Sequence, residues 1–232
     1  KELSSVVVAA VYLQDSGVLD LLKENIDIKT LDLSKVNVSK LSDMIDKLFE
    51  SVTLQSIIGD GVNYVLENPL KDTLIKYTDD ADIVSKLKYS NSQEVKEELL
   101  RVTEVIRVAI NSKILEAYQN NDNNVAGIVN EVSTANVEML LNKVLSIKIL
   151  NKAMPSVVNQ LLKNEGLSEE LTEIDNNEIV KMVVDAMNLA KSLEVTHIDE
   201  LLKGNVMDNV VAVLYKNGAI NENSKDSLAS LL

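Results

Sequence analysis

The 232-residue chain has no cysteine, no tryptophan, one histidine (His197), one phenylalanine (Phe49) and two prolines (Pro69 and Pro155). Each scarcity removes a class of protein. Without cysteine there is no disulfide framework, no thiol nucleophile and no thiolate metal site. Such a composition fits a secreted or surface protein of a Gram-positive-type bacterium. Seven glycines and two prolines are too few for the tight turns of a many-stranded sandwich or barrel. Aromatics make up 3% of the chain and hydrophobic residues 46%. The core is therefore aliphatic, and large enough to need no metal or disulfide. The apolar run VVVAAVYL (residues 6–13) is too short to span a bilayer and lacks the flanks of a signal peptide. It reads as a buried helix, and no membrane insertion is expected. Starting at Lys1 rather than Met, the chain reads as a fragment or a processed form.

Positive charge is also scarce. Net charge is −13, pI is about 4.6, and the two arginines, Arg101 and Arg107, form no patch. Phosphate backbones and anionic membranes need clustered Lys and Arg, so neither nucleic acid nor an anionic surface is an expected partner.

The residues that could carry chemistry do not converge. A zinc site around His197 would need Asp199 and Glu200, which lie too close in sequence to share one helix face; His197 reads as a first-turn surface residue. Asn120, Asp122, Asn124 and Glu131 fall at positions 1, 3, 5 and 12 of an EF-hand register. That register wants Asp at position 1 and Gly at position 6, where this chain has Asn120 and Val125, so calcium is not expected. The acids of TDDAD (78–82) and of IDNNE (174–178) read as helix-start electrostatics. There is no Gly-rich phosphate loop, Ser-His-Asp set or G-x-S-x-G elbow. Met139, Met154, Met182, Met187 and Met207 sit on apolar periodicities and read as core fillers. No catalytic, cofactor-binding or metal residue is assigned, and an enzyme is not expected.

What the sequence does contain is an echo. VNYVLEN (62–68) and VNQLLKN (158–164) share a frame at an offset of 158 − 62 = 96. Val6, Ala9, Ala10, Val18 and Leu19 fall on Val102, Val105, Ile106, Ile114 and Leu115, then on Ile198, Leu201, Leu202, Val210 and Val211. DDADIV (79–84) falls on DNNEIV (175–180) at the same offset. Between these anchors the apolar match slips to 92: Ile45, Leu48, Phe49, Val52, Ile57 and Ile58 meet Val137, Leu140, Leu141, Val144, Ile149 and Leu150. Four extra residues in a loop at NKAMPS (151–156), relative to GDG (59–61), would restore 96. Fixed-period self-similarity of this kind marks a repeat architecture.

The expected fold is all-α: a tandem helical array with units 1–96 and 97–192 and a partial third unit at 193–232. Each unit would hold four or five helices. The spans expected are 3–24 (broken near Ser16) and 95–120, 39–50 and 135–145, 53–67 and 148–163, with further starts near Asp80 and Asn176. Thr196 to Asp199 has the form of a capping box. Asn25, Asn68, Asn121, Asn164 and Asn217 stand where apolar periodicity stops, and are expected to end helices in the left-handed conformation. Ile45, Leu48, Phe49, Ile58, Val102, Ile106, Leu115, Leu140, Leu141 and Leu150 are the expected core. SKDSLASLL (224–232) resembles SKLSDMI (39–45), so Leu228, Leu231 and Leu232 are expected either to cap the array or to dock its next unit.

Duplicated modules without convergent polar groups suit reach and multivalency. The expected role is structural and adhesive: a repeat segment of a long bacterial surface or secreted protein, with self-association or an adjacent unit as protein partner. The alternative is an intracellular helical scaffold that binds a partner helix or peptide. A carboxylate-only enzyme is the third.

Overall fold

Short polar side chains decide where helices begin. The computed structural model describes residues 2–23, 29, 31–121, 124–162, 174–192 and 215. Among them there are twelve α-helices and no strand. The helices are α1 (Glu2–Asp15), α2 (Val18–Lys23), α3 (Val38–Leu48), α4 (Val52–Glu67), α5 (Lys71–Thr78) and α6 (Ile83–Leu87). They continue as α7 (Ser92–Ser112), α8 (Ile114–Asn120), α9 (Val125–Glu131), α10 (Thr134–Val144), α11 (Lys148–Leu162) and α12 (Asn176–Ser192). Asn37, Ser51, Asn91, Asn124, Ser133 and Asp175 precede six of them. Each accepts a first-turn backbone N–H at 2.8–3.3 Å, satisfying a donor that the helix leaves free.

The break expected near Ser16 is there. Buried Ser16 donates its hydroxyl to Leu13 O (2.6 Å) and accepts Val18 N–H (3.3 Å). Buried Ser112 does the same with Ala109 O (2.9 Å) and Ile114 N–H (3.3 Å). A left-handed residue follows each serine, Gly17 at φ 75° and Lys113 at φ 59°. At Gly17 a Cβ would stand 2.3 Å from Lys35 O, so this break demands glycine twice over, for its φ and for the close approach.

The asparagine stops differ from expectation. Asn68 and Asn121 do stand at C-caps, but at φ −117° and −99°, outside the left-handed region. Their side chains do the work instead. The Asn68 amide donates to Tyr64 O (2.9 Å) and the Asn121 amide to Ala117 O (2.8 Å), each doubling the backbone N–H on that carbonyl. With the same carbonyl held by both the backbone N–H and the amide of the asparagine, the helix ends without the left-handed backbone. Asn25, Asn164 and Asn217 lie outside the described residues.

The expected slip of four residues is also absent. α3 and α10 begin at 38 and 134 and end at 48 and 144, so both ends are 96 apart. GDG and NKAMPS both lie inside helices, α4 and α11. Amphipathic helices share apolar spacing, so matches offset by one turn look alike in sequence. DDADIV and DNNEIV likewise take different roles. The first leads from left-handed Asp79 into five-residue α6, and the second opens 17-residue α12.

α1 packs on α3, and α7 packs on both α3 and α10. α12 packs on α10, and α11 lies against α5, α6 and α12. One core cluster joins Ile45 and Phe49 with Leu66, Ile83, Leu87, Tyr89 and Val95. A second joins Leu145, Ile174, Ile179 and Val180, with Met154 and Met182 against it. Of the ten positions expected in the core, Ile45 and Phe49 are fully buried, seven are half-buried and Val102 is exposed at 37%. Met187 is buried, Met139 is 52% exposed, and Met207 lies outside the described residues.

Leu87 is 0% exposed inside the first cluster. Leu87→Ala should lower unfolding stability by about 2–5 kcal/mol, because packed neighbours collapse only partly into the cavity. Urea denaturation measures this, and a loss under about 1 kcal/mol would mean that the cluster refills freely.

Candidate functional site: the polar joints before α7 and α12

Long helices that start inside a protein need their first N–H groups met and their entry angle fixed. Before α7, Asn63 on α4 clamps the incoming backbone. Its amide donates to Tyr89 O (3.0 Å) and its carbonyl accepts Tyr89 N–H (2.9 Å). A reciprocal capping box follows: Asn91 accepts Glu94 N–H (3.0 Å) and the Glu94 carboxylate accepts Ser90 N–H (3.0 Å). Ser92 then donates to Gln55 (3.1 Å), which itself donates to Phe49 O (2.5 Å).

The same parts precede α12. Asn159 on α11 clamps Ile174, donating to its O and accepting its N–H, both at 3.3 Å. Asp175 accepts Glu178 N–H (2.8 Å) and Glu178 accepts Asp175 N–H (2.7 Å). Asn176 donates to Asn151 O (2.8 Å), and the Asn151 amide donates to Leu145 O (2.9 Å). Asn151 O is the carbonyl four residues before Pro155, which has no N–H to give it. Asn176 replaces the bond that the proline removes.

The first joint holds a charged cluster as well. Glu98 on α7 is buried and accepts Lys148 N–H at the start of α11 and the Arg101 guanidinium (2.8 Å). Ile147 precedes α11 and has no oxygen to cap it, so a carboxylate from another helix takes that place, where negative charge suits the helix dipole. The Lys148 ammonium lies 4.6 Å from the Tyr89 ring centroid and donates to Lys88 O. Burial first, and then the Glu98 charge, push the Tyr89 hydroxyl well above its ordinary 10.0. Ser42 with Thr103 (3.2 Å) and Asp46 with Lys96 (2.8 Å) tie α3 to α7 at the same face.

An open groove of about 330 Å³ runs beside this joint, with Gln55, Asp60, Asn63 and Asn91 in its wall. Among the described residues no three His, Cys, Asp or Glu gather as a metal-holding group. None of the helices described is long and apolar enough to cross a membrane. Of the EF-hand-like residues, Asn124 caps α9 and Glu131 ends it; Asp122, like His197, Asp199 and Glu200, lies outside the described residues. Sequence reading missed Asn63, Asn159 and Glu98. A signal for the first two was present, since each is the second residue of the VN frame whose last Asn drew attention instead.

Asn63→Ala removes the amide and leaves both Tyr89 backbone groups unmet, so chemical denaturation should show a loss of about 1–3 kcal/mol. A raised folded pKa makes Tyr89 a source of stability that is complete below its unfolded value and is lost as pH rises past it. Stability should therefore fall above about pH 10, and Tyr89→Phe should flatten that alkaline slope in denaturation series across pH 8–11. Compared with known proteins, the chain matches no family model, no curated protein and no solved structure.

Proposed function

We propose that this chain is a structural and adhesive segment of tandem helical units, a spacer or partner-binding stretch of a long bacterial surface or secreted protein. The observation that carries this reading is the joint that occurs twice. Asn63 and Asn159 are 96 apart, and each clamps the residue run that leads into the next long helix. Further pairs at the same spacing support it: Ser16 with Ser112, Gly17 with Lys113, the starts of α3 and α10, and the starts of α4 and α11. The packing recurs too, α1 on α3 then α7 on α10, and α7 on α3 then α12 on α10.

On this reading the joins fall just ahead of the two capping boxes, at Asn91 and Asp175. The second interval is 175 − 91 = 84, because the link between α11 and α12 spans 163–175 while that between α4 and α7 spans 68–91 and holds α5 and α6. A change in link length leaves the stacking intact, since each unit contacts only its neighbours. The role is non-enzymatic: apart from the buried Asn176 Oδ1, which has no hydrogen-bond partner, the polar groups of the joints bind one another and the backbone and serve to hold helices. An acidic surface with net charge −13 keeps such a segment soluble at high local density.

Antibodies raised against the chain should bind intact cells of the organism that makes it, and mild protease treatment of those cells should remove the signal. Binding seen only after lysis would overturn the surface role in favour of an intracellular scaffold.

A further inference from the structure

Apolar surface is left open at one end of the described helices. On α1, Leu3, Val7 and Val11 are 78%, 55% and 50% exposed, and on α4, Val52, Ile57 and Tyr64 are 73%, 60% and 64% exposed. Leu3, Val7 and Val11 recur every four residues and so form an exposed apolar stripe along α1, the kind of surface that marks an interaction site. Of the places 96 residues on, Arg107, which matches Val11, is exposed as well, while the others are covered. Leu99 is half-buried, Thr103 is 1% exposed and Ala153 is 8% exposed, because α7 lies on α3 and α11 lies on α5 and α6.

We propose that the α1–α4 face is the receiving half of a further joint, and that its occupant is another helical unit of this type, seated through its own α3–α5–α6 face ahead of α1. The proposal rests on the tandem-array reading and adds to it a face and a neighbour. The joint within this chain supplies the template for the fit. Val7 stands where Thr103 meets Ser42, Val52 where Lys148 meets Lys88 O, and Ile57 where Ala153 is buried. Each exchange makes the receiving face more apolar.

The absence of cysteine makes single thiol reporters clean. Leu3→Cys, Ile57→Cys, Thr103→Cys and Ala153→Cys are each placed in the natural chain, and the first two also in a chain lengthened by a copy of residues 1–96 joined ahead of Lys1. Thiol labelling at 3 and 57 should be fast in the natural chain and slower by about tenfold or more in the lengthened one. Slow labelling at 103 and 153, with labelling at 3 and 57 unchanged by the extension, would overturn this proposal and leave the array standing. Fast labelling at 103 and 153 would overturn the array itself. Protection at 3 and 57 that grows with concentration of the natural chain, and gains nothing from extension, would assign the face to a second copy and overturn the occupant proposed. Amide exchange across α1 in the unsubstituted chains gives the same comparison without a substitution: unchanged exchange on extension refutes the joint.

Discussion

α7 is buried from two sides, by α3 on one and α10 on the other, and the rest of the fold depends on holding it there. A helix with two packed faces cannot settle by sliding one apolar stripe over a partner, because both registers must be right at once. The backbone clamp of Asn63 on Tyr89 fixes where the chain enters. The Asn91–Glu94 capping box fixes where helical geometry begins. The buried Ser112 break fixes where it stops. With start, angle and end set, the apolar residues need only fit, and an aliphatic core with one Phe fits by volume more than by shape.

Burying so many polar groups is costly unless each finds a partner. The joints meet most of that demand with amides, which can donate and accept at once; the exception is the buried Asn176 Oδ1, which has no partner. Asn63 and Asn159 close two bonds each, Gln55 passes one from Ser92 to the Phe49 carbonyl, and Asn176 covers the carbonyl that Pro155 leaves bare. Asparagine abundance in this chain is therefore a property of its joints and caps. The first joint adds Glu98, whose carboxylate stands in for a missing N-cap at α11. These bonds are directional, so they specify one helix arrangement where aliphatic packing alone would tolerate several.

Helix content was legible because it rests on local rules. Apolar residues at helical spacing, with few glycines and prolines, placed α3, α4, α10 and α11 to within a residue or two. The break at Ser16 was legible for the same reason. The register between similar helices was not, since a one-turn shift preserves the apolar pattern; the ends of α3 and α10 stand 96 apart where their apolar residues had matched at 92. Nor was the conformation of Asn68 and Asn121 legible. Asparagine can end a helix through its backbone or through its amide, and only the geometry of the last turn shows that the amide is used.

By itself, then, the sequence determined that this chain is helical, aliphatic in its core, acidic on its surface and punctuated by Asn and Ser, all of which follow from forces acting within a turn or two. Tertiary structure alone decided which apolar faces are covered. Leu3 and Leu99, or Ile57 and Ala153, occupy matching places in the sequence, yet the first of each pair faces solvent and the second faces a neighbouring helix. A side chain's hydrophobicity fixes what burial would be worth; what stands next to it depends on long-range contacts, which local pattern does not encode.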